Sequence, residues 1–150
     1  MKKQFEILEA TRRNLLAVVD GMTIEQLNKI PEGFNNNLIW NLGHVVVTQQ
    51  LLCYGLSGVA MKLDTAMISK YRKGTKPSDF IGEEELAFIK KRLKETTTEI
   101  QQDIEANLFK NFKTYPTSFG FTLQLSLIHI SEPTRPLYIS YAVFCLQKQE

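Results

Sequence analysis

One histidine inside an otherwise apolar run is where this chain can do chemistry. Residues 35–58 read NNNLIWNLGHVVVTQQLLCYGLSG. His44 is the side chain of that run whose ordinary pKa lies nearest neutrality. On a helix, Trp40, His44, Val47 or Thr48, and Leu51 share one face by the i, i+3, i+4 rule, so His44 is expected to point into the interior. An imidazole placed there either satisfies itself as a core residue or ligates a metal. It is not a metal site alone: zinc and related ions take three or four ligands, and catalytic sites keep one position open. Cys53 lies about two and a half turns further along the same helix. The two cannot form a nucleophile–base pair within the segment, and Cys53 reads as a buried structural thiol.

The remaining chemical residues have plainer readings. Glu83, Glu84 and Glu85 sit where a helix dipole favours carboxylates. Lys90, Lys91, Arg92 and Lys94 alternate with carboxylates and read as a solvated face. Trp40 and the aromatic residues after Asn107 read as core. There is no phosphate-binding glycine loop and no paired-cysteine motif. The chain has two histidines and two cysteines, and the second of each, His129 and Cys145, falls in a tail of unusual character. Residues 125–135 spell LSLIHISEPTR and residues 139–146 spell ISYAVFCL. These resemble a sequencing-library adapter and the flow-cell adapter that follows it, translated in frame, with Pro136-Leu137-Tyr138 filling the index between them. On this reading the native product diverges after about Gln124, residues 125–150 are adapter-derived, and His129 and Cys145 carry no role.

Composition bounds the rest. A chain of 150 residues has the length of one domain, and 43% hydrophobic residues is ordinary for a globular protein. A net charge of +2 gives no argument for nucleic acid or an anionic membrane. One credible cysteine allows no disulfide framework, so a reducing, cytoplasmic setting is expected. The N-terminal MKKQFEILEATRR has no apolar run behind its charges and is not read as a signal peptide. The longest apolar stretch, Leu38 to Leu56, is broken by Asn41, His44, Thr48, Gln49 and Gln50, against a membrane span.

These residues need helices to position them. Phe5, Leu8, Leu15, Leu16 and Val19 form the stripe of a first amphipathic helix. Thr23 with Gln26 is a capping-box pattern for a short helix, Ile24 to Asn28. The Asn35–Asn37 run can cap the second long helix, which ends near Gly55 or Gly58. Asp64 can cap a short helix through Tyr71. A third long helix starts at Glu83 with the stripe Leu86, Ile89, Leu93, Ile100 and Ile104, and Thr96 to Thr98 weaken its middle. Residues 107–120 read as an aromatic loop, and Thr122 as the start of a fourth helix. The expected fold is an all-α, antiparallel four-helix bundle spanning 1–124, its fourth helix truncated or replaced.

The KKQFEILEATRRNLL helix, the PEGFNNNLIWNLGHVVVTQQLLCYGLSG block, the YRKGTKP loop and the YPTSFGFTLQ segment together resemble the DinB-like (DinB/YfiT) superfamily over roughly residues 2–124. Trp40-Asn41-Leu42-Gly43-His44 is the specific part. The resemblance implies a four-helix bundle, often a homodimer, and a three-histidine site for a divalent ion such as nickel or zinc that activates water or a thiol. It implies hydrolysis, or transfer of a low-molecular-weight thiol, on a small-molecule substrate. His44 matches the first metal ligand. The other two are expected as a pair four residues apart on the fourth helix, where this chain has adapter-like sequence, so this polypeptide is expected to bind the ion weakly or not at all. The contrasting expectation is a non-enzymatic stress-response or binding bundle in which His44 is a core residue.

Overall fold

The computed structural model describes residues 2–110, 114–116 and 122–124. The tail from Leu125, with His129 and Cys145, lies outside the described residues. The elements run in order α1 (Lys2–Val19), α2 (Ile24–Asn28), α3 (Leu38–Gln50), α4 (Thr65–Tyr71), α5 (Glu83–Glu105), β1 (Thr114–Pro116) and β2 (Thr122–Gln124). A π-helical turn, Leu51–Gly55, continues α3, and Gly58 stops it in a left-handed conformation with φ of +72°.

Local chemistry sets the helix starts. Thr23 and Gln26 exchange side-chain and backbone bonds as a capping box. The Asn37 side chain accepts from the Trp40 amide at 2.8 Å, and Asp64 accepts from the Met67 amide at 2.7 Å. Each side chain satisfies one of the amides left orphaned in a first turn. The start of α3 is tied further into the fold. Asn37 donates to the Asn28 carbonyl at 3.0 Å. Asn28 in turn exchanges two bonds with the Ile81 backbone, at 3.0 and 2.8 Å.

The core divides into two clusters. The larger joins Leu15 and Val19 of α1, Leu38, Ile39, Trp40, Leu42, Val45, Val46 and Val47 of α3, Met67 and Tyr71 of α4, and Leu86, Ile89 and Leu93 of α5. The smaller joins Leu8, Cys53, Tyr54 and Ile100. The later half of α1 therefore packs with the earlier halves of α3 and α5. Hence α1 is antiparallel to both, while α3 and α5 run in the same sense. The long connection 58–82, which carries α4, brings the chain back to permit this.

The fold is all-α as expected, apart from one short ribbon. Strands β1 and β2 pair antiparallel with Tyr115 opposite Leu123. Thr122 therefore opens a strand where a fourth helix was expected, and Thr114–Pro116 is strand where loop was expected. Threonine and tyrosine favour extended backbone, and a pairing partner nearby in sequence satisfies amides that three helical residues alone cannot. Any fourth long helix lies outside the described residues.

A candidate metal-ligand site at His44

Two neighbours and a backbone carbonyl fix the His44 ring. Its Nδ1 lies 2.7 Å from the carbonyl oxygen of Tyr71. A carbonyl only accepts, so Nδ1 carries a proton and donates. In the neutral ring Nε2 then holds the lone pair, and it faces the Thr48 hydroxyl at 3.3 Å. The Trp40 indole stacks on the imidazole with centroids 4.6 Å apart and planes 11° from parallel. Trp40 is itself held, its Nε1–H donating to Thr75 Oγ1 at 3.2 Å. Thr75 anchors that loop by donating to the carbonyls of Lys70 and Arg72, both at 2.8 Å.

Helix α4 supplies the carbonyl, and a glycine lets it approach. A Cβ built on Gly43 would sit 2.5 Å from Tyr71 Cδ1 and 2.7 Å from its Cγ, well inside van der Waals contact. Tyr71 is 1% exposed, and its hydroxyl donates to Glu85 at 2.6 Å. Burial first, then that hydrogen bond and the Glu85 charge, push its phenol pKa up. Lys70 pairs with the same carboxylate at 2.8 Å. A chain of contacts thus runs from Glu85 on α5, through Tyr71, to His44. A hollow of about 10 Å³, room for one water, opens beside Trp40 and Tyr71.

The sequence-derived candidates fall out differently. His44 is half-buried and lies on the Trp40 face, as expected. A histidine that ligates a metal through one nitrogen characteristically donates the other N–H to a carbonyl or carboxylate. His44 has that arrangement, so it fits the role of one ligand. Among the described residues, however, no group of three His, Cys, Asp or Glu side chains can hold an ion. The described residues therefore fit a single ligand and not a complete site. Cys53 is a free, buried thiol. Burial, opposed by the charge of Arg12, pushes its pKa up to about 12, which removes it as a nucleophile at neutral pH. Arg92 pairs bidentately with Glu99 at 2.8 and 3.0 Å, and Lys91 pairs with Glu95 at 3.7 Å, so that face is no open basic patch.

Sequence reasoning passed over Arg12. It is 3% exposed and donates from Nη2 to Gln49 Oε1 at 3.0 Å. The signal was there: Arg12 lies four residues after Leu8 and three before Leu15, on the buried stripe of α1. The role of Tyr71 as the acceptor for His44 had no such signal.

A family model for the DinB superfamily matches residues 7–130. No curated protein and no solved structure matches the chain.

Proposed function

Because this chain belongs to the DinB superfamily, we propose that its gene product is a divalent-metal-dependent hydrolase or thiol transferase with His44 as the first of three histidine ligands. The observation that carries this reading is the His44 ring itself. Its Nδ1–H is committed to the Tyr71 carbonyl, which orients the ring and leaves the Nε2 lone pair for a cation. A nickel or zinc ion would supply Lewis acidity, lowering the pKa of a water or thiol so that it reacts near pH 7. The chain's own residues do the positioning: Tyr71 sets the ring, Trp40 covers one of its faces, and Thr48 meets Nε2. The substrate is a small molecule or thiol, the expected assembly is a homodimer, and the setting is cytoplasmic. No described helix is long and apolar enough to cross a membrane.

Among the described residues His44 has no second and third ligand beside it, so weak binding of the ion is expected. Trp40 is the only tryptophan and stacks on His44, so its fluorescence reports this site. Nickel added to the chain should quench Trp40 with weak affinity, and His44→Ala should remove that response. If nickel binds tightly and His44→Ala binds it equally well, the assignment fails.

The contrasting reading, a binding bundle without metal chemistry, draws on Thr48 Oγ1 already lying 3.3 Å from Nε2. Both ring nitrogens then have partners, as in a satisfied core histidine. A nickel titration that leaves Trp40 fluorescence unchanged would favour it.

A further inference from the structure

Between the two hydrophobic clusters lies a layer that is polar on all three long helices. On α1, Arg12 falls between Leu8 of the smaller cluster and Leu15 of the larger. On α3, Gln49 and Gln50 fall between Val47 and Cys53. On α5, Thr96 and Thr97 fall between Leu93 and Ile100. All five are buried, none more than 3% exposed. The register that joins Leu8 to Cys53 and Ile100, and Leu15 to Val46 and Leu93, places these positions at one level of the bundle. The Arg12–Gln49 hydrogen bond at 3.0 Å confirms the level for α1 and α3.

Four of the free groups in this layer are N–H donors that cannot accept, and the two threonine hydroxyls can donate or accept. Arg12 Nε and Nη1, Gln49 Nε2, Gln50 Nε2, Thr96 Oγ1 and Thr97 Oγ1 are buried without partners. The amide orientations are not arbitrary. Gln49 turns its oxygen to Arg12, and Gln50 turns its oxygen to the Lys62 amide at 2.8 Å. Both are thereby committed to presenting NH₂. Among the described residues no carboxylate forms an ion pair with Arg12. The nearby ionisable group is Cys53, whose thiol burial keeps protonated. A guanidinium removed from water without a counter-charge is costly, and water alone cannot cancel its charge.

We propose that Arg12, Gln49, Gln50, Thr96 and Thr97 form an anion-binding site in the bundle interior that takes the carboxylate of a small organic acid. A monoanion neutralises the single buried cation, whereas a phosphate dianion would leave an excess negative charge. A carboxylate offers about four lone-pair directions to the free N–H donors of Arg12, Gln49 and Gln50 and to the threonine hydroxyls. The apolar layers on either side, with Leu15 and Leu93 on one and Leu8 and Ile100 on the other, suit a short hydrocarbon portion attached to it. The site lies about 7.5 Å along the α3 axis from His44, five residues at the helical rise, and does not depend on the metal reading.

The test is a thermal denaturation series on the full chain at constant ionic strength, in chloride, phosphate, acetate and isobutyrate. Acetate and isobutyrate should raise Tm over chloride by about 5–10 °C at a hundredfold excess over Kd, with isobutyrate the more effective. Arg12→Leu should abolish the shift, and His44→Ala should retain it. Gln49→Glu supplies a carboxylate from within the layer. It should raise Tm in chloride and lose the response to acetate, so the proposal remains decidable if Arg12→Leu does not fold. Equal Tm in acetate and chloride overturns the proposal. So does a Gln49→Glu variant that is less stable and still responds to acetate. A phosphate shift larger than the acetate shift overturns the carboxylate assignment.

Discussion

Gly43→Ala tests whether the approach of α4 to α3 is what sets the His44 ring. In a helix interior this substitution ordinarily stabilises by up to about 1 kcal/mol, because alanine has less backbone freedom to lose. Here the new Cβ would meet the Tyr71 ring at 2.5 to 2.8 Å. The clash is with Cδ1, Cγ and Cε1, atoms of a rigid ring and not the end of a flexible chain. The ring must retreat by roughly 1 Å to reach ordinary contact, and it is pinned by the Glu85 hydrogen bond and by burial. Overpacking of this kind costs about 1–3 kcal/mol, and straining a hydrogen bond to a charged group adds about 1 kcal/mol more. After the propensity gain of about 1 kcal/mol, a net loss of about 1–3 kcal/mol remains, a Tm decrease of about 2–12 °C for a chain of this size.

The decisive assay is a double-mutant cycle by urea denaturation. In a Tyr71→Ala background the space is open, and Gly43→Ala should stabilise by up to about 1 kcal/mol. The coupling between the two positions should therefore be about 2–4 kcal/mol, at or above the upper end for residues in contact. The His44 Nδ1–H resonance should also weaken or vanish in Gly43→Ala, because its acceptor is the Tyr71 carbonyl. If Gly43→Ala stabilises the otherwise unchanged chain as much as it does the Tyr71→Ala chain, the helices do not approach as described and the reasoning fails.

Other outcomes follow from the same structure. Asn37→Ala removes the cap of α3 and the tie to Asn28; a loss of about 1–2 kcal/mol in urea midpoint analysis is expected, and a loss below a few tenths would contradict it. Cys53 has its pKa raised by burial from 9.0 to about 12. Its contribution is thus fully present below pH 9 and lost as pH rises through about 12. Between pH 9 and 10 the unfolded thiol ionises alone, a loss of about 1 kcal/mol, and Cys53→Ala should flatten that slope in pH-resolved urea melts. Resequencing the locus past codon 124 by an adapter-independent method should reveal a helix with two histidines four residues apart; recovery of the same tail would defeat the three-histidine reading.

What could be read from sequence was local. The Thr23–Gln26 box, the Asn37 and Asp64 caps and the start at Glu83 involve residues three or four apart, so each is legible wherever it occurs. The His44 face was legible for the same reason, since Trp40 and Thr48 lie one turn to either side. The acceptor for its Nδ1 was not, because Tyr71 comes from a separate helix brought close by a glycine whose purpose shows only in three dimensions. The ribbon at 114–116 and 122–124 was misread because three-residue strands carry almost no periodic signal.

Arg12 was legible by position and missed by type, and that failure is informative. A stripe reading accepts apolar residues and passes over an arginine, yet a buried arginine on the stripe is where a fold departs from its most stable choice. Replacing such a charge by a well-packed apolar residue is often neutral or stabilising. The same holds for Gln49, Gln50, Thr96 and Thr97, which sit in line with leucines, isoleucines and valines on their helices. Apolar residues at all five positions would let the two hydrophobic clusters merge into one. A bundle that instead keeps five polar side chains at one level, with buried N–H groups left unpartnered, gives up stability there. That loss is recovered when an acceptor of opposite charge enters the layer, which is why the response to acetate, and not the stability of the empty chain, is the measurement that decides what the layer is for.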